Sequence, residues 1–240
     1  MFGPIHSIAF DFDGTLVNTM NSVALGMQKA IASVTGKEVP VPELFKSFGP
    51  APRGVLEKWL PLDRVDEALL VWLKFDQEQG PDTYVPFAGV EAMLIELQVA
   101  NLPFGIFTGR DRAGTLHILN KLGWFNKFFS ESNIVCGDDG FKAKPSGQGL
   151  SHLISTLGWS KEHTLMVGDH EHDLMAGREA GTKTAVALWD QTFVEGQTNR
   201  ARFRESWDRW QGNDHIDLRV PKPESLSYWI FKDREPSLED

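Results

Sequence analysis

The sequence predicts an α/β protein: a parallel, doubly wound sheet with a helical insertion between its first and second strands. Three observations predict it. Apolar runs of strand length alternate with helical patterns from about residue 83 onward, whereas the stretch from about 18 to 82 carries helical periodicity alone. Acidic or hydroxyl residues also stand directly after three of the strand-like runs, where ligands of an open parallel sheet are bound.

The first strand is Ile5 to Phe10, short and largely apolar, running into a turn at Gly14. From Met20 the apolar positions Val23, Ala24, Met27, Ile31 and Val34 recur at helical spacing and stop at Gly36. Pro40 and Pro42 read as a break. Beyond it, Val55, Leu56, Trp59 and Leu60 predict a short helix, and Val65, Ala68, Leu69, Trp72 and Leu73 another that ends by Gly80 and Pro81. Further strands are expected at Phe104–Phe107, Asn133–Cys136, Thr164–Val167 and Lys183–Leu188, with helical patterns between them such as Leu150, Leu153, Ile154 and Leu157. A last strand at Ile216–Val220 and a helix through Leu226, Trp229 and Ile230 complete the pattern. Residues from about 190 to 213, with Trp207 and Trp210, read as a surface excursion whose two aromatics pack back onto the core. The expected division is therefore an α/β core of residues 1–17 and 83–240 around a helical unit of residues 18–82.

Composition narrows the function. With 240 residues, 41% hydrophobic and 24% charged, the chain can build a substantial core. A net charge of −9 argues against general affinity for nucleic-acid backbones, so an anionic substrate must be met by local cations. The single cysteine, Cys136, excludes an internal disulfide framework and a cysteine-built zinc site, and it reads as packing in a buried strand. The opening MFGPIHSIAF lacks a basic stretch followed by an apolar core, and no run approaches the roughly 18 apolar residues of a membrane span, so a reducing cytoplasm is the expected location.

The residues expected at the strand ends are Asp11 and Asp13, then Thr108, then Asp169, with Asp173 four positions further on. Any one alone fits a helix cap or turn. Together, the four acids would repel one another unless a cation joined them. Magnesium suits such an all-oxygen set with a phosphate completing it, and no histidine–cysteine set suits zinc. Lys144, before Pro145, supplies the positive charge that phosphoryl chemistry requires.

In order along the chain, DFDGT, Thr108 within FTGR, Lys144-Pro145 and GDHEHD closely resemble the four motifs of the haloacid dehalogenase superfamily. The segment VPFAGV and the run from Asp173 to Gly181 extend the resemblance over most of the core. It implies a Rossmann-like core with a helical cap, as in phosphoglycolate phosphatases and β-phosphoglucomutases, and a small phosphorylated metabolite as substrate. It also implies that Asp11 is the nucleophile that becomes an aspartyl-phosphate. Asp13 would be the acid/base, Thr108 and Gly109 would bind phosphate, and Lys144 would bridge Asp11 and phosphate. Asp11, Asp169 and the main-chain carbonyl of Asp13 would hold Mg2+, with Asp173 supporting that shell. Backbone N–H groups near Phe12 would add donors. Arg53, in the cap stretch from Phe48 to Gly54, would read the rest of the substrate. Two departures stand out: Gly147 where many relatives have a second proline, and His170 in place of a small hydroxyl residue.

A phosphomutase would use the same Asp11 and Asp13, and a catalytically silent binding module can share the fold. Hydrolysis is the favoured reading. The sequence leaves the substrate open, and equally the choice between monomer and homodimer.

Overall fold

The structure, a computed structural model, describes residues 4–48, 52–79, 83–189, 193–194, 197–198 and 216–231. In chain order its strands are β1 (Ser7–Phe10), β2 (Val17–Asn18), β3 (Val85–Pro86), β4 (Phe104–Phe107), β5 (Ile134–Val135), β6 (Thr164–Gly168), β7 (Lys183–Ala187), β8 (Phe193–Val194), β9 (Gln197–Thr198) and β10 (Leu218–Val220). The α-helices are α1 (Met20–Thr35), α2 (Val41–Phe45), α3 (Pro52–Leu56), α4 (Val65–Gln77), α5 (Val90–Val99), α6 (Arg112–Lys121), α7 (Gln148–Thr156), α8 (Glu171–Ala180) and α9 (Pro223–Phe231).

Six strands form one sheet in the order β5-β4-β1-β6-β7-β10, with every neighbouring pair parallel. The fold class expected from the sequence is the one found. β1, β4 and β6 are buried along their whole length, as expected of central strands covered on both faces. Alternation then sorts their side chains. Ile8, Phe10, Ile106, Leu165 and Val167 join one hydrophobic layer, which also takes Leu94, Leu119 and Leu226 from α5, α6 and α9. Ala9, Phe107 and Met166 join the opposite layer with Leu150 of α7 and Ala176 of α8.

The chain leaves β1 for β4 and β5 on one side, then crosses to β6, β7 and β10 on the other. β1 thus lies at the topological switch point, where connections diverge and a crevice opens beyond the strand ends. Register aligns those ends, since Phe10 is opposite both Ile106 and Val167.

Helices α1 to α4 bury a separate cluster, including Met27, Ile31, Leu44, Leu56, Val65 and Trp72. The passages into and out of this segment run side by side as the antiparallel pair β2 and β3, with Val17 opposite Pro86 and Asn18 opposite Val85. Gly36 ends α1 in the left-handed region at φ 69°, as the pattern stop indicated.

Two expectations for this segment need correction. The proline pair does not simply break the chain, because Pro42 occupies the first turn of α2, where a missing N–H costs nothing. The helix expected through Leu60 ends at Leu56; Trp59 and Leu60 continue only as turns, and Pro61 disfavours helical geometry in the residue before it. Most of the excursion at 190–213, including Trp207 and Trp210, lies outside the described residues. No helix among those described is long and apolar enough to cross a membrane.

Candidate active site

Asp11 extends the central strand by one residue, its backbone N–H donating to the Val167 carbonyl at 2.8 Å. The following turn needs glycine for two reasons. Gly14 adopts φ +84°, and a Cβ there would lie 2.7 Å from Oδ2 of Asp169. Gly168 is equally constrained, because a Cβ would meet that of Asp173 at 2.3 Å. The missing side chains at Gly14 and Gly168 leave room for the carboxylates of Asp169 and Asp173 at the ends of β1 and β6.

At the start of α8, His170 is the N-cap residue, its Nδ1 accepting from the His172 N–H at 3.2 Å. The imidazole thus does the local work expected of the small hydroxyl residue it replaces. Asp173 completes a capping box, with Oδ2 accepting from the His170 N–H at 3.0 Å. Its other oxygen, Oδ1, accepts from Lys144 Nζ at 2.6 Å. The same ammonium donates to Asp11 Oδ1, also at 2.6 Å, and lies 4.6 Å from the centre of the Phe107 ring. Asp169 receives the Thr15 hydroxyl at 3.2 Å.

Asp11, Asp169 and Asp173 each place a carboxylate oxygen within 4.8 Å of the others. Burial pushes the Asp11 carboxyl up to about 7; Lys144 opposes the shift, and the negative charges of Asp173 and Asp13 add to it. Burial works against the charge on Lys144, but Asp11 and Asp173 outweigh it and hold its pKa above the usual lysine value. Three carboxylates against one ammonium leave surplus negative charge among hard oxygen donors. Such a set fits a small divalent cation of the magnesium type.

Asp13 faces a different partner. Its Oδ1 accepts from the Thr19 hydroxyl at 2.6 Å and from Arg110 Nη2 at 2.8 Å, and Arg110 Nε lies 3.1 and 3.0 Å from its two oxygens. Arg110 also donates through Nη1 to Asp76 of α4. Burial opposes the charge on this guanidinium, yet Asp13 and Asp76 raise its pKa well above the normal arginine value. Thr108 is buried at the end of β4, its Oγ1 accepting from the Arg110 N–H at 3.1 Å, and Gly109 follows beside Gly137.

The structure therefore gathers Asp11, Lys144, Asp169 and Asp173 into one contact group and places Asp13 and Thr108 in contact with Arg110. Arg53 stands on α3 in an exposed ion pair with Asp66, so its contact is within the helical segment; residues 49–51 of its loop are not among those described.

Arg110 and Asp76 were not singled out from the sequence. Asp76 left a signal: Val65, Ala68, Trp72 and Asp76 share the buried face of α4 at spacings of three and four, which puts an acid where an apolar residue is expected. Arg110 left less, because nothing next to FTG distinguishes a buried arginine from an exposed one.

The model for haloacid dehalogenase-like hydrolases matches residues 8–187. The chain belongs to that family. It is 32% identical over 189 residues to a pyrophosphatase PpaX of Oceanobacillus iheyensis, covering 77% of this chain and 84% of the relative. It is 30% identical over 194 residues to a phosphoglycolate phosphatase of Aquifex aeolicus, covering 79% and 88%. A haloacid dehalogenase hydrolase of family IA, variant 3, from Entamoeba histolytica superposes with a TM-score of 0.75 at 16% identity, covering 95% of this chain and 98% of that one. This last likeness concerns the fold alone.

Proposed function

We propose that this hydrolase is a magnesium-dependent phosphatase acting on a small phosphorylated metabolite through an aspartyl-phosphate on Asp11. The observation that carries this reading is the pairing of Asp11 with Lys144 beside two more carboxylates at the end of the central strand.

A carboxylate is a weak nucleophile toward a phosphate dianion, since the two repel. Lys144 offsets that repulsion, and Asp173 fixes Lys144 through its second short contact. Held by the carboxylates of Asp11 and Asp169 and the main-chain carbonyl of Asp13, magnesium supplies further positive charge at the phosphate oxygens when bound. The hydroxyl of Thr108 and the N–H groups of Phe12 and Gly109 are the proposed phosphate donors.

In the first step an Asp11 oxygen attacks phosphorus, the bond to the leaving oxygen breaks, and Asp13, entering the step in its protonated form, gives that oxygen its proton. In the second, Asp13 takes a proton from water as the water attacks phosphorus, which frees Asp11 and inorganic phosphate. Asp13 ends as it began.

The helical segment at 18–82 is the proposed cap over this site, joined to the core by the paired passages β2 and β3. Relatives named as a pyrophosphatase and a phosphoglycolate phosphatase favour small anionic substrates, so pyrophosphate and phosphoglycolate head the compounds to test.

Asp11→Asn is the direct test. With magnesium present, the variant should melt as the parent does and lose at least about a thousandfold in aryl phosphate turnover. EDTA should abolish the parent's activity until magnesium is restored. Undiminished hydrolysis by the variant would remove Asp11 from the nucleophile's place, and an isomeric ester in place of free phosphate would turn the reading to a mutase.

A further inference from the structure

We propose that Arg110 and Asp76 are positioning residues for the reaction: Arg110 fixes the carboxylate of Asp13, and Asp76 of the helical segment fixes Arg110. This rests on the acid/base role given to Asp13 above.

The geometry is that of a relay. Arg110 lies between β4 and α6 with its side chain 1% exposed, whereas the Asp13 side chain remains 23% exposed. One edge of the guanidinium, Nε and Nη2, meets both oxygens of Asp13. The remaining nitrogen, Nη1, donates to Asp76 Oδ2. Asp76 is itself held, because the Tyr84 hydroxyl lies 2.9 Å from its Oδ1 and 2.8 Å from its carbonyl oxygen. The Trp72 ring, one turn earlier on α4, sits 5.6 Å from the guanidinium carbon. Every polar edge of Arg110 thus has a fixed partner, and the only partly open member of the chain is the Asp13 carboxylate.

Fold stability does not require such an arrangement. Taking a guanidinium and two carboxylates out of water is costly, and apolar side chains of similar volume often serve stability as well or better. A bidentate grip contributes geometry, because a planar fork sets the plane of the carboxylate it meets. An acid/base group must lie within about 2.6–3.2 Å of the oxygen it serves, and an aspartate held only by its own torsions samples other directions. Asp76 extends the grip across the chain. Its place on α4 makes the position of the helical segment a determinant of where Asp13 points.

The consequence is specific to substrates whose leaving group needs a proton. An alkoxide leaves poorly without help, whereas a nitrophenolate leaves well. Asp76→Asn keeps the shape and an acceptor for Tyr84 but weakens the hold on Arg110. Arg110→Lys keeps the charge but loses the fork. Tyr84→Phe removes only the hydroxyl that steadies Asp76 and serves if either of the others fails to fold.

The experiment measures kcat/KM for an alkyl phosphate and for p-nitrophenyl phosphate, with magnesium, on variants shown by melting to be folded. The expected result is a loss of about tenfold or more on the alkyl ester and of about threefold or less on the aryl ester, with Arg110→Lys the most affected. In an Asp13→Asn background, Asp76→Asn should produce no further change. Equal losses on both esters, no loss on either, or an undiminished Asp76→Asn effect without Asp13 would overturn the proposal. If Asp11→Asn is inactive while these variants respond in any of those ways, the relay alone is wrong; if Asp11→Asn is active, the phosphatase mechanism itself is wrong.

Discussion

Two buried cations stand near the end of the central strand, and each answers to two carboxylates. Lys144 bonds Asp11 and Asp173, and Arg110 bonds Asp13 and Asp76. The difference lies in what surrounds them. Around Arg110 the acids are also served by neutral hydroxyls, Thr19 for Asp13 and Tyr84 for Asp76, so hydrogen bonding is shared among fixed protein groups. Around Lys144 a third acid, Asp169, crowds the same space with its oxygens close to those of Asp11 and Asp173. That set of hard oxygen donors fits a small divalent cation. A point-like ammonium suits that place, since it tolerates a change of partners; a planar fork suits the other, where orientation is what matters.

The strongest way to break this comparison is to remove each cation in turn. Lys144→Met should reduce phosphatase turnover by about a hundredfold or more, because the charge it supplies opposes repulsion in the transition state. Arg110→Met should instead be seen first in the melt, with a loss of roughly 3–5 kcal/mol from the buried Asp76 and the partly open Asp13 left without their shared partner. Paired measurements of kcat and thermal unfolding on the two variants decide the matter. If Lys144→Met kept full turnover, the division between a reactive and a positioning cluster would collapse.

How far these two clusters could be read from the sequence follows from the same contrast. Asp11 and Asp169 were legible because each follows a predicted strand and a parallel sheet brings such ends together, whereas Lys144 and Asp173 were legible through the resemblance of the motifs that contain them. β1, β4 and β6 were legible because uninterrupted apolar runs identify central strands. The Arg110 cluster was not, since it joins α4 to the core across a segment boundary, and periodicity describes one helix at a time. Asp76 was visible only as a polar residue on an apolar face. Arg53 shows the opposite limit: its position suggested substrate contact, but the partner it takes, Asp66, is on a neighbouring helix that no spacing rule connects to it.

A second, intermediate effect concerns the metal. In the metal-free protein the Asp11 carboxyl has a folded value of about 7 against an ordinary 3.8, so between these values the folded chain holds a proton that the unfolded chain releases. The stability this contributes is fully present below the unfolded value and is lost as pH rises through about 7. Magnesium held there as proposed would compete for the deprotonated form, so its stabilisation should grow over the same interval. At a hundredfold excess over its Kd, magnesium should raise Tm by roughly 5–10 °C at pH 8 relative to EDTA. At pH 5.5 the increase should be clearly smaller. Melting curves at the two pH values with and without the metal test this, and equal shifts at both would mean that no titrating carboxylate binds the ion.

The smallest expected effect belongs to Arg53. Its side chain is 50% exposed and that of Asp66 78%, so the pair is solvated on both sides. Exposed ion pairs contribute only about 0–1 kcal/mol, since solvent screening and the entropy of two long side chains offset the attraction. Arg53→Ala should accordingly leave the melt within about 2–4 °C of the parent, the most that roughly 1 kcal/mol moves a chain of this size. Its informative readout is selectivity. If the exposed guanidinium meets the substrate beyond its phosphate, the ratio of kcat/KM between a carboxylate-bearing phosphate ester and p-nitrophenyl phosphate should fall several-fold in Arg53→Ala while the aryl ester itself is little affected. An unchanged ratio would confine Arg53 to the surface pairing it makes with Asp66.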